Sequence, residues 1–261
     1  MRKQTFNAWL CASFIALSAC SVVDSGALNQ EAAQEYRATV AQAHKQGALD
    51  NTSATSQRIQ QVFRRMVPHA QAANKTGQAF NWELAVIRSD ELNAWAMPGG
   101  KMAVYTGIVE KLKLSDDEIA AIVGHEMTHA LLEHSKKEAN RSVGLGILTQ
   151  LGGNALAAYT GVNPELVGLG VNLASDLGVQ KPFSRSAERE ADVGGLKLMA
   201  QAGYNPQAAV TVWQKMNAME NNNTVLNKIA STHPTNNARI KLIQDELPKV
   251  MPLYQQAVGR K

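Results

Sequence analysis

Between Ile119 and Leu131 the apolar residues Ile119, Ile122, Val123, Met127, Ala130 and Leu131 recur three and four positions apart. That spacing puts them on one face of a helix. Directly upstream, Ser115-Asp116-Asp117-Glu118 has the form of a capping box, which predicts where the helix starts. Two earlier stretches have strand character. "NWELAVIRS" (81–89) gathers β-formers between polar residues, and Lys101 to Thr106 follows a Pro98-Gly99-Gly100 turn inside the extended region 93–108. Residues 21–73 are polar and rich in Ala and Gln, which predicts two helices interrupted by "GALDNTSATS" (47–56). The region 186–247 reads as helix, broken at Gly203-Tyr204-Asn205-Pro206 and near His233-Pro234. Ser142 to Pro164 carries no charge, and Gly and Ala stay frequent to Gly178. Packed helices are expected there, with a membrane-dipping hairpin as the alternative; Thr149, Gln150, Asn154 and Thr160 speak against burial in lipid. The pattern predicts an α+β chain, mainly helical, with a small antiparallel or mixed sheet.

Composition narrows the class. With 45% hydrophobic and 18% charged residues in 261, the chain is of globular type and can bury a sizeable core. The N-terminus, "MRKQTFNAWLCASFIALSAC", has a basic start, an apolar stretch from Ala8 to Leu17 and then small residues, which is the layout of a secretory signal. Leu17-Ser18-Ala19-Cys20 resembles the bacterial lipoprotein cleavage box, in which the cysteine is acylated; ordinary cleavage nearby is the alternative. Residues 1–19 are then the signal, 20–75 a tether with helices, 76–250 the main domain and 251–261 a tail. Ser21, rather than Asp, after Cys20 favours the outer membrane, on its periplasmic face, with the lipid bilayer as partner. Loss of Arg2 and Lys3 leaves 24 basic against 22 acidic residues, so no nucleic-acid partner is expected. The only other cysteine, Cys11, would leave with the signal, so no internal disulfide is available in an oxidising compartment.

Chemistry concentrates in "AIVGHEMTHALLEH" (121–134). On a helix His125 and His129 point the same way and can offer two imidazole nitrogens to one Zn²⁺. Glu126, about 100° round the helix, stands beside the ion, where it can act as general base towards water. One helix cannot surround a tetrahedral ion, so a third ligand must come from another element. In "FSRSAEREADVGG" (183–195) Glu188 and Asp192 share a helical face. Glu188 is the candidate ligand, and Asp192 could accept a hydrogen bond from the far nitrogen of a ligand histidine. A solvated charged helix face is the alternative, given Arg185, Arg189 and Glu190. Glu133 and His134 are expected at the surface, as are His44 and His69 unless structural.

Together "VGHEMTHALLEH", "FSRSAEREAD" and "NAWAMPGGKMAVYTGI" resemble the zinc peptidase family of the prenyl-protein (CAAX) peptidase and bacterial envelope metallopeptidases. The likeness spans about residues 81–239, and Ser184, Arg185, Glu188, Ala191 and Asp192 fit its S-R-x-x-E-x-x-A-D pattern. It implies a zincin-like (gluzincin) fold with the sheet packed on the H-E-x-x-H helix, Glu188 as third ligand and Glu190 as a bystander. A family His-Pro segment is matched by "THPTNNARI", which implies that His233 lies over the metal, either stabilising the oxyanion or taking the water's place. The strand beside the metal helix pairs with substrate in zincins, and Lys101, Met102, Ala103, Val104, Tyr105 and Thr106 are expected to form it. The absence of a set of spanning helices argues against cleavage within the membrane, and the chain stops too soon for a helical-repeat domain. The expected function is a zinc endopeptidase acting on unfolded or damaged envelope proteins. A chaperone-like assembly factor with latent hydrolysis is the alternative.

Overall fold

The computed structural model describes residues 23–141, 183–220, 233 and 237–259. The signal segment, Cys20 and the Gly-rich stretch 144–178 lie outside the described residues. Helix α1 spans Ser25–Lys45 and α2 Ala54–Ala73; β1 is Glu83–Ile87, β2 Ala94–Met97 and β3 Lys101–Tyr105. Helices α3 (Thr106–Lys111) and α4 (Asp116–Leu131) follow, then a helical stretch α5 over residues 134–141. Helices α6 (Arg185–Gln201), α7 (Ala208–Glu220) and α8 (Asn237–Val258) complete the described chain.

Helix starts sit where capping side chains stand. Asp24 accepts from the N–H of Ala27, Ser53 from that of Ser56 and Ser184 from that of Ala187. The capping box at Ser115 and Glu118 is complete. Glu118 is buried and accepts as well from Thr211 and Lys215, which ties the start of α4 to α7.

The sheet is mixed, in the order β1-β3-β2, with β3 parallel to β1 and antiparallel to β2. Its side chains alternate between faces. Ala85, Ile87, Trp95, Met97 and Ala103 meet Leu28, Ala32 and Tyr36 of α1. Val86, Ala94, Ala96, Met102 and Val104 join the main core with α2, α4 and α6. Helices α1 and α2, expected as part of a tether, are therefore built into the fold, and α8 runs past residue 250 to Val258. No helix among the described residues is long and apolar enough to cross a membrane.

One expectation fails here. Residues 101–105, expected to offer a free edge, form the central strand, with both edges used by β1 and β2. Thr106 is not in the strand at all but opens α3. Alternation in sequence reports which face a residue takes, not the order of strands. The outer strand on this side is β2. Its partner bonds alternate, and the N–H of Tyr105 donates to the carbonyl of Asn93. By that alternation the N–H and C=O of Ala94 and Ala96 point away from β3.

Behind the sheet, α4 and α6 cross at glycines. A Cβ on Gly195 would lie 2.8 Å from the backbone nitrogen of His125, and one on Gly124 would lie 2.9 Å from the carbonyl oxygen of Gly195. Both obstacles are backbone and cannot rotate away. Replacing a mid-helix glycine by alanine ordinarily gains about 1 kcal/mol, whereas overpacking costs about 1–3 kcal/mol. Rigid neighbours put Gly195→Ala at the upper end, so the variant should lose about 2 kcal/mol in urea denaturation, the difference of those two effects. A gain in stability would show that the crossing is not tight.

Candidate metal centre

Helix α4 carries His125, Glu126 and His129, and α6 brings Glu188 and Asp192 to the same place across the glycine crossing. His233, between α7 and α8, closes the group. All six are buried. The Nε2 atoms of His125 and His129 are 3.0 Å apart, and His233 Nδ1 is 3.3 Å from His125 Nε2. Glu188 Oε1 lies 3.0 Å from His233 Nδ1 and 3.4 Å from His129 Nε2, while its Oε2 is 3.4 Å from His125 Nε2.

These spacings fit a metal. Zinc–nitrogen and zinc–oxygen distances of about 2.0–2.1 Å put the corners of a tetrahedral site roughly 3.3 Å apart. One ligand atom from each of His125, His129, Glu188 and His233 falls within 4.8 Å of the others. Nitrogen and carboxylate donors suit Zn²⁺. Charge agrees too. Among the described residues, Glu126, Glu188 and Asp192, when ionised, face a single buried guanidinium, Arg239, so a divalent cation would neutralise the cluster.

The rings of His125 and His129 are held by residues outside the ligand group. Asp192 Oδ1 is 3.1 Å from His125 Nδ1, so that nitrogen keeps its proton and Nε2 is the one that offers a lone pair inward when the ring is neutral. Asp192 is fixed by Arg239, which donates to both of its oxygens at 2.7 and 2.8 Å. The same guanidinium contacts Glu188 at 2.7 Å and lies over the Trp213 ring, 3.9 Å from its centroid. Phe183 stacks on His129 with ring centroids 4.0 Å apart.

Protonation follows from these contacts. Burial pushes the Asp192 carboxyl up, but the hydrogen bonds and charges of Arg239 and His125 outweigh it and hold the group low. Glu188 is likewise held low against burial, by the charge of His233 and by hydrogen bonds from the three imidazoles. Burial drives His129 well below its ordinary value. In His125 burial also acts downwards, yet Asp192 and Glu188 overcome it and raise the imidazole to about 9. Glu126 is raised, chiefly by burial and against the pull of His233 and His125. Its Oε1 is 3.3 Å from His233 Nε2.

Every residue expected at the site except the strand 101–106 is thus in this cluster, and Cys20 is outside the described residues. One expectation needs correction. His134, expected at the surface, is 1% exposed and its Nδ1 lies 2.9 Å from His129 Nδ1. Glu190 is not in the ligand group, as expected of a bystander, and approaches the far nitrogen of His134 at 3.4 Å. Arg239 and Phe183 were visible only as parts of quoted motifs, and neither type announces itself as a metal-site residue.

Comparison with known proteins adds an independent line. A sequence model of peptidase family M48 matches residues 53–247. The mitochondrial metalloendopeptidase OMA1 of Arabidopsis thaliana is 36% identical over 183 residues, covering 70% of this chain and 35% of its own. OMA1 of Schizosaccharomyces pombe is 36% identical over 168 residues, covering 64% of this chain and 47% of its own. The metalloprotease LoiP of Escherichia coli is 28% identical over 245 residues, covering 88% of this chain and 92% of its own. The chain therefore spans between a third and a half of these two OMA1 proteins and most of LoiP.

Calorimetric titration of the metal-free protein with Zn²⁺ should show one ion per chain. His129→Ala and Glu188→Gln should each weaken binding by more than about 100-fold, exceeding the loss of an outer partner. Because metal-free His125 titrates at about 9 and must lose its proton to bind, zinc uptake at pH 7 should release a proton. Affinity should then fall about tenfold for each pH unit lowered below 9. Binding without proton release would contradict the arrangement.

Proposed function

The chain belongs to peptidase family M48, and on that premise we propose that it is a zinc-dependent endopeptidase whose site is held latent by His233. The observation that carries the reading is the convergence of His125, His129 and Glu188 from two helices, with Glu126 beside them. Bound there, zinc would supply the Lewis acidity that polarises a peptide carbonyl and activates water near neutral pH. Glu126 takes the water's proton and returns it to the leaving amine; its raised basicity, caused mainly by burial, suits that task. Asp192, braced by Arg239, keeps the His125 lone pair aimed at the centre. The outward N–H and C=O groups of Ala94 and Ala96 on β2 are the partners proposed for an extended substrate backbone. Pro98, just past the end of β2, lines a small crevice together with His129.

His233 occupies two positions that hydrolysis needs. Its Nδ1 stands among the ligands and its Nε2 faces the general base. A structural zinc site is closed by four protein ligands, whereas a catalytic one keeps an open position. Hydrolysis therefore requires His233 to withdraw. This latency is also what favours the second reading, a chaperone-like or assembly-factor protein with restrained hydrolysis.

The proposed location is the periplasmic face of the outer membrane, anchored through acylated Cys20, with misfolded or damaged envelope proteins as substrates. The N–H of Val23 donates to Asn140, and Ser25 Oγ donates to Glu133 and accepts from Lys136. The chain thus leaves the domain beside the C-terminal end of the metal helix. Three residues reach about 10 Å at most, so lipid on Cys20 would hold that end against the bilayer.

Glu126→Gln should lower casein cleavage by about 10²–10⁴-fold, the range for loss of a general base, and a chaperone function should survive it. His233→Ala should raise cleavage by about tenfold if the closed form makes up nine-tenths of molecules. A fall of about 10²–10³-fold would instead make His233 an oxyanion donor. Labelled palmitate should enter the wild-type protein but not Cys20→Ser, which should move from the membrane to the soluble periplasmic fraction; equal fractionation would refute the anchor.

A further inference from the structure

His125 and His129 present the same nitrogen to the centre, yet their outer nitrogens meet different chemistry. His125 Nδ1 faces the carboxylate of Asp192. His129 Nδ1 faces another imidazole nitrogen, His134 Nδ1, at 2.9 Å. Two nitrogens that close and buried can share only one hydrogen between them. If the Nε2 of His129 is a ligand, its hydrogen must sit on Nδ1, because a neutral imidazole carries one. His134 Nδ1 is then the acceptor, so its own hydrogen sits on Nε2, which faces Glu190 Oε2 at 3.4 Å. Glu190 Oε1 in turn accepts from Ser186 Oγ at 3.2 Å, and Lys137 Nζ is 3.7 Å from Oε2.

The backbone shows how this contact is reached. On an unbroken helix a residue five positions on stands about 140° away and cannot turn back onto its predecessor. Helix α4 ends at Leu131, and Glu133 takes a left-handed conformation with φ of 51°. That conformation costs a non-glycine residue about 1–2 kcal/mol. It is secured by contacts of Glu133 with Ser25 and Lys136. The turn starts α5 with His134 folded under His129. Phe183 stacks on His129 with the two rings inclined by 24°, so the ring is held by face and by outer nitrogen together.

We propose that His134 is a positioning residue that accepts the Nδ1 hydrogen of His129 and passes its orientation on to Glu190, fixing the His129 tautomer that binds the metal. The two ligand histidines are thus oriented by unlike devices, a buried carboxylate behind His125 and a neutral imidazole backed by a half-exposed carboxylate behind His129. The second device adds no buried charge next to a centre that already holds Glu126, Glu188 and Asp192. This inference rests on the zinc-site reading given above.

The test combines zinc affinity with nitrogen-15 NMR of the histidine rings. In wild-type protein loaded with Zn²⁺, His134 should carry its hydrogen on Nε2 and His129 on Nδ1. His134→Leu, similar in bulk and without an acceptor, should weaken zinc binding by about 10–100-fold. His134→Asn, whose side-chain oxygen stands near the Nδ1 position, should recover most of that loss, which a purely space-filling role would not predict. Glu190→Gln should have a smaller effect than His134→Leu. A hydrogen on His134 Nδ1, or His134→Leu binding zinc as tightly as wild type, would overturn the proposal while leaving the zinc site intact. Failure of the wild-type protein to bind zinc at all would instead refute the reading beneath it. The NMR arm needs no variant, so it decides the matter even if His134→Leu does not fold.

Discussion

The absence of side chains where α4 crosses α6 is the constraint on which the rest of the molecule depends. With glycine at 124 and 195, backbone meets backbone, and the residues one step along α4 and up to two turns back along α6 come within reach of one another. His125 is adjacent to Gly124, Asp192 lies three residues before Gly195, and Glu188 seven before it. A carboxylate side chain is short. Had the helices been spaced by ordinary side chains, 8–10 Å between axes, the 3.4 Å approach of Glu188 to His125 and His129 would demand a longer residue. The neighbouring Gly194, whose missing Cβ would collide with Thr128, extends the close contact along the same seam. The surrounding layers serve that seam. Helices α2 and α7 and the sheet pack round α4 in one core, so neither helix can relax outward.

Such a seam gathers charges that would otherwise repel. Two carboxylates on α6 and one on α4 are brought together out of water, against a single arginine. Without a further cation, the cluster relieves itself by protonation: His125 is raised to about 9, and Glu126 is raised as well. Both shifts point the same way, toward taking up positive charge at the centre. That is the property a divalent ion exploits, and it explains how a buried polar centre can be tolerated inside a fold whose other interior residues are mostly apolar.

Arg239 and His233, six residues apart, hold the centre with unequal grip. Arg239 is locked to Asp192 by two hydrogen bonds and to Glu188 by an ion pair, and it is stacked on Trp213. Removing one partner from a buried pair of this kind costs about 3–5 kcal/mol. His233 faces Glu188 through Nδ1 and Glu126 through Nε2, and Glu188 also faces His125, His129 and Arg239. Withdrawing His233 would leave Glu188 facing His125, His129 and Arg239, whereas withdrawing Arg239 would remove two hydrogen bonds from Asp192 and an ion pair from Glu188. The withdrawal of His233 proposed above would thus leave the contacts of Arg239 with Asp192 and Glu188 in place.

How much of this could be read from sequence follows the range of the interactions involved. Caps, helix faces and the shared face of His125 and His129 depend on residues within a turn or two, and they were legible. So was the shared face of Glu188 and Asp192, four residues apart on one helix; the choice of Glu188 over Glu190 came from the family resemblance. Strand order was not legible. Lys101 to Tyr105 has the residues of a strand, but its place at the centre of the sheet is decided by pairing with residues 83–87, which local pattern does not encode. His134 fails for a subtler reason. Extending the helical pattern past Leu131 turns His134 away from His129, and nothing in Leu132-Glu133 signals a break, because the usual marker of a left-handed residue is glycine or asparagine. The break is held by Ser25 and Lys136, one of them more than a hundred residues upstream. A tertiary contact thus sets the local backbone, and the local backbone determines which nitrogen of a ligand histidine is free to bind.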